Sequence, residues 1–237
     1  MVLPAGARSI GAVLCTFVVL GACSGAFEER VHEQFQKTVA TGASPVVSLE
    51  NVAGDVRVEG WSKPIVNVSA TKYGYDEQEL RDIAIDVRPA AGSLSIVTSY
   101  SAGGAHHGGV RYLIAVPAGA SVRINNVVGT VALAGVRGDV TIQTQTGAIK
   151  ANAGMVSGNR AIDINATTGA ITLTIAPGSS ATVDASSTVG NFTSDVPGVS
   201  QARDNVVGAR GAGTIGTGSA RIHLTTTTGA IALRQGQ

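Results

Sequence analysis

Asp139, Lys150, Arg160 and Asp163 lie on successive short segments in which apolar and polar residues alternate. Carboxylates beside Arg or Lys in an outward groove are what β-helical polysaccharide lyases and hydrolases use. One group moves a proton while the cation steadies the sugar. Charges on the outer face of a regular β-coil also keep it solvated. The flanking residues are chemically monotonous, and no acid/base pair recurs in an apolar setting. Solvation is therefore the preferred reading, catalytic residues are set at none, and a glycan-cleaving enzyme is the alternative.

The remaining chemistry-bearing residues are sparse. His106-His107 stands in a Gly-rich interruption, Ser101–Gly109. Adjacent residues point apart and no third ligand has suitable spacing, so no metal site is assigned. The calcium-binding nonapeptide Gly-Gly-x-Gly-x-Asp is missing, and Gly211-Ala212-Gly213 is not followed by a helix start as a phosphate loop would be. No cofactor is expected. Trp61, the lone tryptophan, is expected to cap the first coil, with a ligand-stacking platform as its alternative role. Asn67, Asn165 and Asn191 match glycosylation sequons by composition.

Cys23 is the one residue with a specific covalent expectation. Arg8 is followed by an apolar stretch from Ile10 to Leu20, too short to span a bilayer, which needs about 20 residues, but suited to a secretory leader. It ends in Leu20-Gly21-Ala22-Cys23, which resembles the bacterial lipobox. That resemblance implies cleavage before Cys23 and a lipid on its thiol. The alternative is ordinary leader cleavage before Phe27. The expected organisation is residues 1–22 as leader, 23–33 as a polar tether and 34–237 as one folded domain. Ser24 after the Cys suits transfer to an outer membrane where the cell has one.

Removing residues 1–22 leaves 237 − 22 = 215 residues, with Cys23 the only cysteine, so no internal disulfide can form. The chain is long enough to bury its own core. Of 17 basic residues one leaves with the leader, and the remaining 16 face 16 acidic ones. No basic stripe attracts nucleic acid. The membrane is the expected partner, through the lipid, together with an envelope protein or glycan.

What must position these residues is a repeat. A phrase, polar-x-x-Gly-x-Val/Ile, begins at Asn51, Asn126, Thr144, Ala166 and Thr226, and a degenerate copy begins at Ser187. The last five glycines fall at 129, 147, 169, 190 and 229, and the widest gap is close to two turns of the same period. One strand phrase about every 20 residues marks stacked coils. The fold class is all-β: a single-domain β-solenoid, parallel β-helix-like, of about 20-residue rungs. Glycine is abundant at 31 residues, and aromatics make up 4%. Narrow coils of this kind need small branched side chains inside and glycine at corners with positive φ. Gly129, Gly147 and Gly169 are expected at such corners. Asp76–Asp82 is the best helical candidate. The stretches Ser101–Gly109 and Pro197–Gly218 break the period, read as loops, and are the expected sites of recognition. A sandwich-like entry before residue 100 is compatible with the spacing there.

The order of these phrases resembles a bacterial envelope family of unknown function described as adhesin-like, close to the auto-transporter adhesin head domain. The resemblance rests on Val52-Ala53-Gly54-Asp55-Val56-Arg57-Val58-Glu59-Gly60-Trp61, on Val116-Pro117-Ala118-Gly119, and on Thr-Gly-Ala-Ile at 146–149, 168–171 and 228–231. It covers roughly 35–235 and implies a β-solenoid at the cell envelope with a structural or binding role. The histidine pair and the 197–218 stretch stand outside the pattern.

Overall fold

The structure, a computed structural model, describes residues 31–101, 107–204 and 207–236. Cys23 and His106 lie outside the described residues. The entry region supplies β1 (Val31–Ala40), β2 (Val46–Ala53), β3 (Val56–Trp61) and β4 (Ile65–Gly74). A short helix, α1 (Glu77–Asp82), is followed by β5 (Ile83–Ala90), β6 (Ser93–Tyr100) and β7 (Gly109–Pro117). Asp76 caps α1, its Oδ1 accepting from the Glu79 amide at 2.9 Å. β1 begins inside the stretch read as tether.

The regular region comes as strand pairs. These are β8 (Ser121–Val128) with β9 (Val131–Ala134), β10 (Val140–Thr146) with β11 (Ile149–Gly154), β12 (Ala161–Thr168) with β13 (Ile171–Ile175), and β14 (Ala181–Val189) with β15 (Phe192–Ser194). Then follow β16 (Val199–Asp204), β17 (Gly208–Ile215) and the last pair, β18 (Ala220–Thr228) with β19 (Ile231–Gln235). Two large open sheets result. Sheet A runs β1-β4-β7-β3-β9-β11-β13-β19-β15, and sheet B runs β16-β17-β14-β18-β12-β10-β8-β2-β6-β5. Each rung gives one strand to each sheet and turns between them at the glycine of its phrase.

The turn explains the phrase. Gly129, Gly147 and Gly169 have φ of 134°, 147° and 153°, and Gly54, Gly190 and Gly229 share the conformation. The glycines stack in one column. A Cβ on Gly129 would run into the carbonyl of Gly54, one on Gly147 into Gly129, one on Gly169 into Gly147, one on Gly229 into Gly169, and one on Gly190 into Gly229. The backbone ladder therefore continues around the corner without interruption. The Gly147 amide donates to Thr168 O at 2.9 Å, and the Ile149 amide donates to Ala170 O at 2.8 Å.

The leading polar residue of the phrase faces inward, three positions before the glycine. Asn51, Asn126, Thr144, Thr226 and Ser187 are all buried, and register aligns them across sheet B. All but Thr144 hold corner carbonyls: Asn126 Nδ2 donates to Gly54 O and Gly129 O, each at 3.3 Å, and Ser187 Oγ donates to Gly229 O at 2.8 Å. Ala166 breaks the column, and Thr226 Oγ1 from the neighbouring rung donates to Gly169 O at 3.2 Å instead. Below this column the core is aliphatic. Val122, Val140, Ile162, Ile222 and Val183 form one inward row, and Ile124, Ile142, Ile164, Leu224 and Ala185 form the next. Burying each Val, Leu or Ile contributes about 1.5–3 kcal/mol.

Three expectations change. Spatial order departs from chain order twice: β2 lies between β6 and β8, and β18 lies between β12 and β14. The 39-residue interval between Gly190 and Gly229 holds no additional rung. Its filling, read as a loop at 197–218, is an antiparallel hairpin of β16 and β17 laid along β14. Six glycines from Gly198 to Gly218 hid its alternation, and several of them are needed for close approach. A Cβ on Gly211 would strike the Phe192 ring, and one on Gly213 would strike the Gly198 carbonyl. Trp61 does not cap an end coil either, because β3 sits between β7 and β9.

The corner predicts a sharp contrast. Gly147→Val combines strain of about 1–3 kcal/mol with a collision against backbone that cannot step aside. Gly154 also has a positive φ, 60°, but open space around it, so Gly154→Ala loses only the strain. At about 2–4 °C per kcal/mol for a chain of this size, Gly147→Val should lower Tm at least twice as far. Equal shifts in thermal melts would show that the stacked carbonyl contributes nothing.

Candidate functional site

The four charged residues singled out from sequence do not converge. Lys150 is on the outward side of β11 in sheet A, and Asp163 is on the outward side of β12 in sheet B, so the core separates them. Asp139 is exposed at the opposite corner, where its Oδ1 accepts from the Ala161 amide at 2.9 Å. Arg160 lies close to Asp139 but is buried, with 7% of its surface exposed. Its guanidinium donates to Gly138 O at 2.9 Å, Ala153 O at 2.8 Å, Met155 O at 3.1 Å and Val136 O at 2.7 Å. Burial lowers its pKa and the Asp139 carboxylate raises it in part. Arg160 is a clamp on the corner opposite the glycine column, its guanidinium taken up by four backbone carbonyls.

Among the described residues no group of His, Cys, Asp and Glu is placed to hold a metal ion. Asp163, His223 and Asp184 are cross-strand neighbours on sheet B. Asp163 accepts from Asn165 Nδ2 at 2.6 Å, and His223 Nε2 lies 3.1 Å from Thr225 Oγ1. His107 packs edge-on against Tyr75 with ring centroids 5.5 Å apart.

A shallow recess lies on the outer face of sheet A. Alternation along β3, β9, β11 and β13 buries Val56, Val58, Val131, Leu133, Ile149, Ala151, Ile171 and Leu173. The intervening residues face out in two rows: Arg57, Ala132, Lys150, Thr172 and Glu59, Ala134, Asn152, Thr174. The small side chains of Ala132 and Ala134 leave a trough of about 310 Å³ between the longer Arg57–Glu59 and Lys150–Asn152 walls. Arg57 and Glu59 form an ion pair at 2.6 Å. Asn152 also borders a second recess of about 640 Å³, walled by Trp61, Arg137 and Met155. Trp61 Nε1 donates to Ile65 O at 2.8 Å, which fixes the ring, and Lys63 Nζ lies 4.9 Å from its centroid. The alternating small and long residues at 132, 134, 150 and 152 are the sequence signal for the trough, visible only once register aligns them.

This arrangement defines a two-sheet, solenoid-like protein with a repeated glycine corner and a polar outer face. Residues 117–234 match the family model described as Toastrack DUF4097, and the regular part of the chain belongs to that family. The fold is similar to that of a "putative cell adhesion protein" from Clostridium sporogenes, with a TM-score of 0.59 at 15% identity, over 87% of this chain and 100% of that one. A "putative adhesin" from Bacteroides fragilis matches over 85% of this chain and 97% of its own, at 11% identity and a TM-score of 0.28. The first likeness shows the fold alone and the second carries no argument. No curated protein matches the chain by sequence.

Two outcomes follow from the buried polar groups. Arg160→Met leaves four carbonyls without their donor and should cost about 3–5 kcal/mol. Unfolding in urea measures it, and a variant as stable as the parent would remove the clamp from the account. The second concerns alkaline pH. Tyr112 OH and Thr98 Oγ1 share a hydrogen bond of 2.7 Å in the core. Burial pushes the Tyr112 phenol up to about 12, and burial with the neighbouring Tyr73 and Tyr112 rings does the same for Tyr100. The folded state thus favours the neutral phenols. Their contribution is whole below pH ~10, the unfolded value, and is lost as pH rises toward 12. Urea midpoints should fall across that window, and less steeply in Tyr112→Phe. Identical slopes would mean that the phenol ionises without disturbing the fold.

Proposed function

We propose that this protein is a non-catalytic, lipid-tethered module of the bacterial cell envelope, a rigid solenoid of about 20-residue rungs that binds an acidic envelope glycan. The observation that carries the binding role is the trough on sheet A. It presents Lys150 and the Glu59-paired Arg57 around small side chains, and the neighbouring recess, which shares Asn152, adds Arg137 and the fixed Trp61 ring. Together these suit anionic sugars lying across a flat strand face. The description of the Clostridium sporogenes protein of similar fold as a "putative cell adhesion protein" is in keeping with such a role. The division of Asp139, Lys150, Arg160 and Asp163 between two faces and a corner favours binding over the enzyme alternative.

Placement at the envelope rests on the leader and on Cys23. Among the described residues no helix is long and apolar enough to cross a membrane. The tether is assigned to acyl chains on Cys23 because of the lipobox-like Leu20-Gly21-Ala22-Cys23. Several chains on one Cys give stable anchoring where a single one does not.

Two measurements test this reading. Intact mass of the native protein should show a chain starting at Cys23 with added acyl mass, and Cys23→Ala should abolish it. An unlipidated chain starting at Phe27 would overturn the tether. In binding titrations against acidic envelope glycans, Arg57→Ala with Lys150→Ala should weaken retention about tenfold or more without changing Tm, and products should not accumulate. Glycan cleavage that disappears with Asp163→Asn would replace the binding reading with the enzymatic one.

A further inference from the structure

Four strands bound the two sheets, and they are not equally protected. At one end of the molecule sheet A finishes on β15, only three residues long, and sheet B on β16, six residues long. Gln201 Nε2 ties these two together by donating to Ser194 O at 3.1 Å. At the other end sheet B finishes on β5, where Pro89 has no amide to offer a further strand. Sheet A finishes on β1, ten residues from Val31 to Ala40 without proline or glycine. β1 pairs with β4 along its full length. Among the described residues, no strand pairs with its other edge.

β1 also closes the core incompletely. Phe35 and Val39 are only partly buried against it, as is Ile85 on β5. Lys37 reaches across the gap between the sheets, its Nζ donating to Val87 O at 3.0 Å. A long free edge beside partly covered apolar side chains is a site for strand addition.

The residue order of β1 indicates which strand fits. A two-fold axis perpendicular to the sheet opposes residues equidistant from its centre and keeps each on its own face, so the axis must pass beside a residue. Centred on Phe35, an antiparallel pair opposes Glu33 with Lys37 twice, Val31 with Val39 twice, and Phe35 with itself. Centring on Gln34 or Gln36 places a charge against Phe35. Centring on Glu33 or Lys37 opposes like charges. Cross-strand neighbours stand about 4.5–5.5 Å apart, close enough for these pairs to be felt. Glu33 remains available, since its bridge to Lys72 at 3.2 Å leaves its side chain 48% exposed.

We propose that β1 is a dimerisation edge whose occupant is β1 of a second copy of this chain, antiparallel and centred on Phe35. The nine-stranded sheet A of one protomer then runs into that of its partner, and the partly exposed Phe35 rings cover one another at the two-fold axis.

Sedimentation of the full chain in mild detergent should show a dimer. Glu33→Lys and Lys37→Glu should each be monomeric at concentrations where the parent is dimeric, with dissociation constants raised tenfold or more. Mixed in equal amounts, the two variants should associate again, because the opposed pairs become Lys with Glu at both places. Circular dichroism of each variant shows that it folds. A monomeric parent overturns the proposal. So do dimers indifferent to either charge reversal, and folded variants that stay monomeric when mixed. Capture of another strand by β1 would appear as an edge filled without self-association, and it also overturns the proposal.

Discussion

Backbone touching backbone at the glycine corner is the constraint from which the other features follow. Six rungs turn with their glycines stacked carbonyl over α-carbon, from Gly54 through Gly129, Gly147, Gly169 and Gly229 to Gly190. No side chain fits in that column, so spacing between rungs is set by the peptide ladder alone. Strands that leave such a corner are locked in register, and a one-residue slip would turn every inward Ile or Val to solvent. The price of this tightness is a line of corner carbonyls facing inward, and the column of Asn, Thr and Ser beneath it satisfies most of them.

The two sides of the stack solve the turn differently. At the glycine corner a polar donor from the same rung or the next one meets most of the carbonyls, and the device repeats. At the opposite corner the connections are longer and less alike, and one buried guanidinium, Arg160, gathers carbonyls from two stretches of chain, Val136 to Gly138 and Ala153 to Met155. Repetition in the sequence therefore reports the first corner and is silent on the second. Arg160 was visible as a charge on a coil, but nothing in its neighbourhood of Gly158, Asn159 and Ala161 marks it as internal.

Much of the architecture could be read directly. Strict alternation at Val46–Leu49, Ile65–Ala70 and Val110–Val116 marks strands because sheet periodicity survives any partner arrangement, and Asp76 with the charged turn after it marks α1. The outward trough was less accessible: Ala132 and Ala134 are unremarkable until Arg57 and Lys150 are aligned beside them by register. The hairpin of β16 and β17 escaped because close contacts demanded glycine where alternation would otherwise show. Rung order escaped for a deeper reason. Every phrase presents the same glycine and the same Val, Ile or Phe two residues later, so each rung is a plausible neighbour for every other.

That equivalence bears on how the chain reaches its fold. The rung at 220–235 lies between the rungs at 161–175 and 181–194, so a segment synthesised after both of them belongs between them. Contacts between sequence neighbours form fastest, because the intervening loop is short. The flank of β12 is therefore open first to β14, whose pattern resembles that of the proper occupant. A pairing made then must come apart before β18 can enter. The interleaved order makes the placing of β18 and β19 an insertion between two strands rather than growth at an end, and it turns that strand pair into the latch that joins the hairpin-capped tip to the rest of the stack.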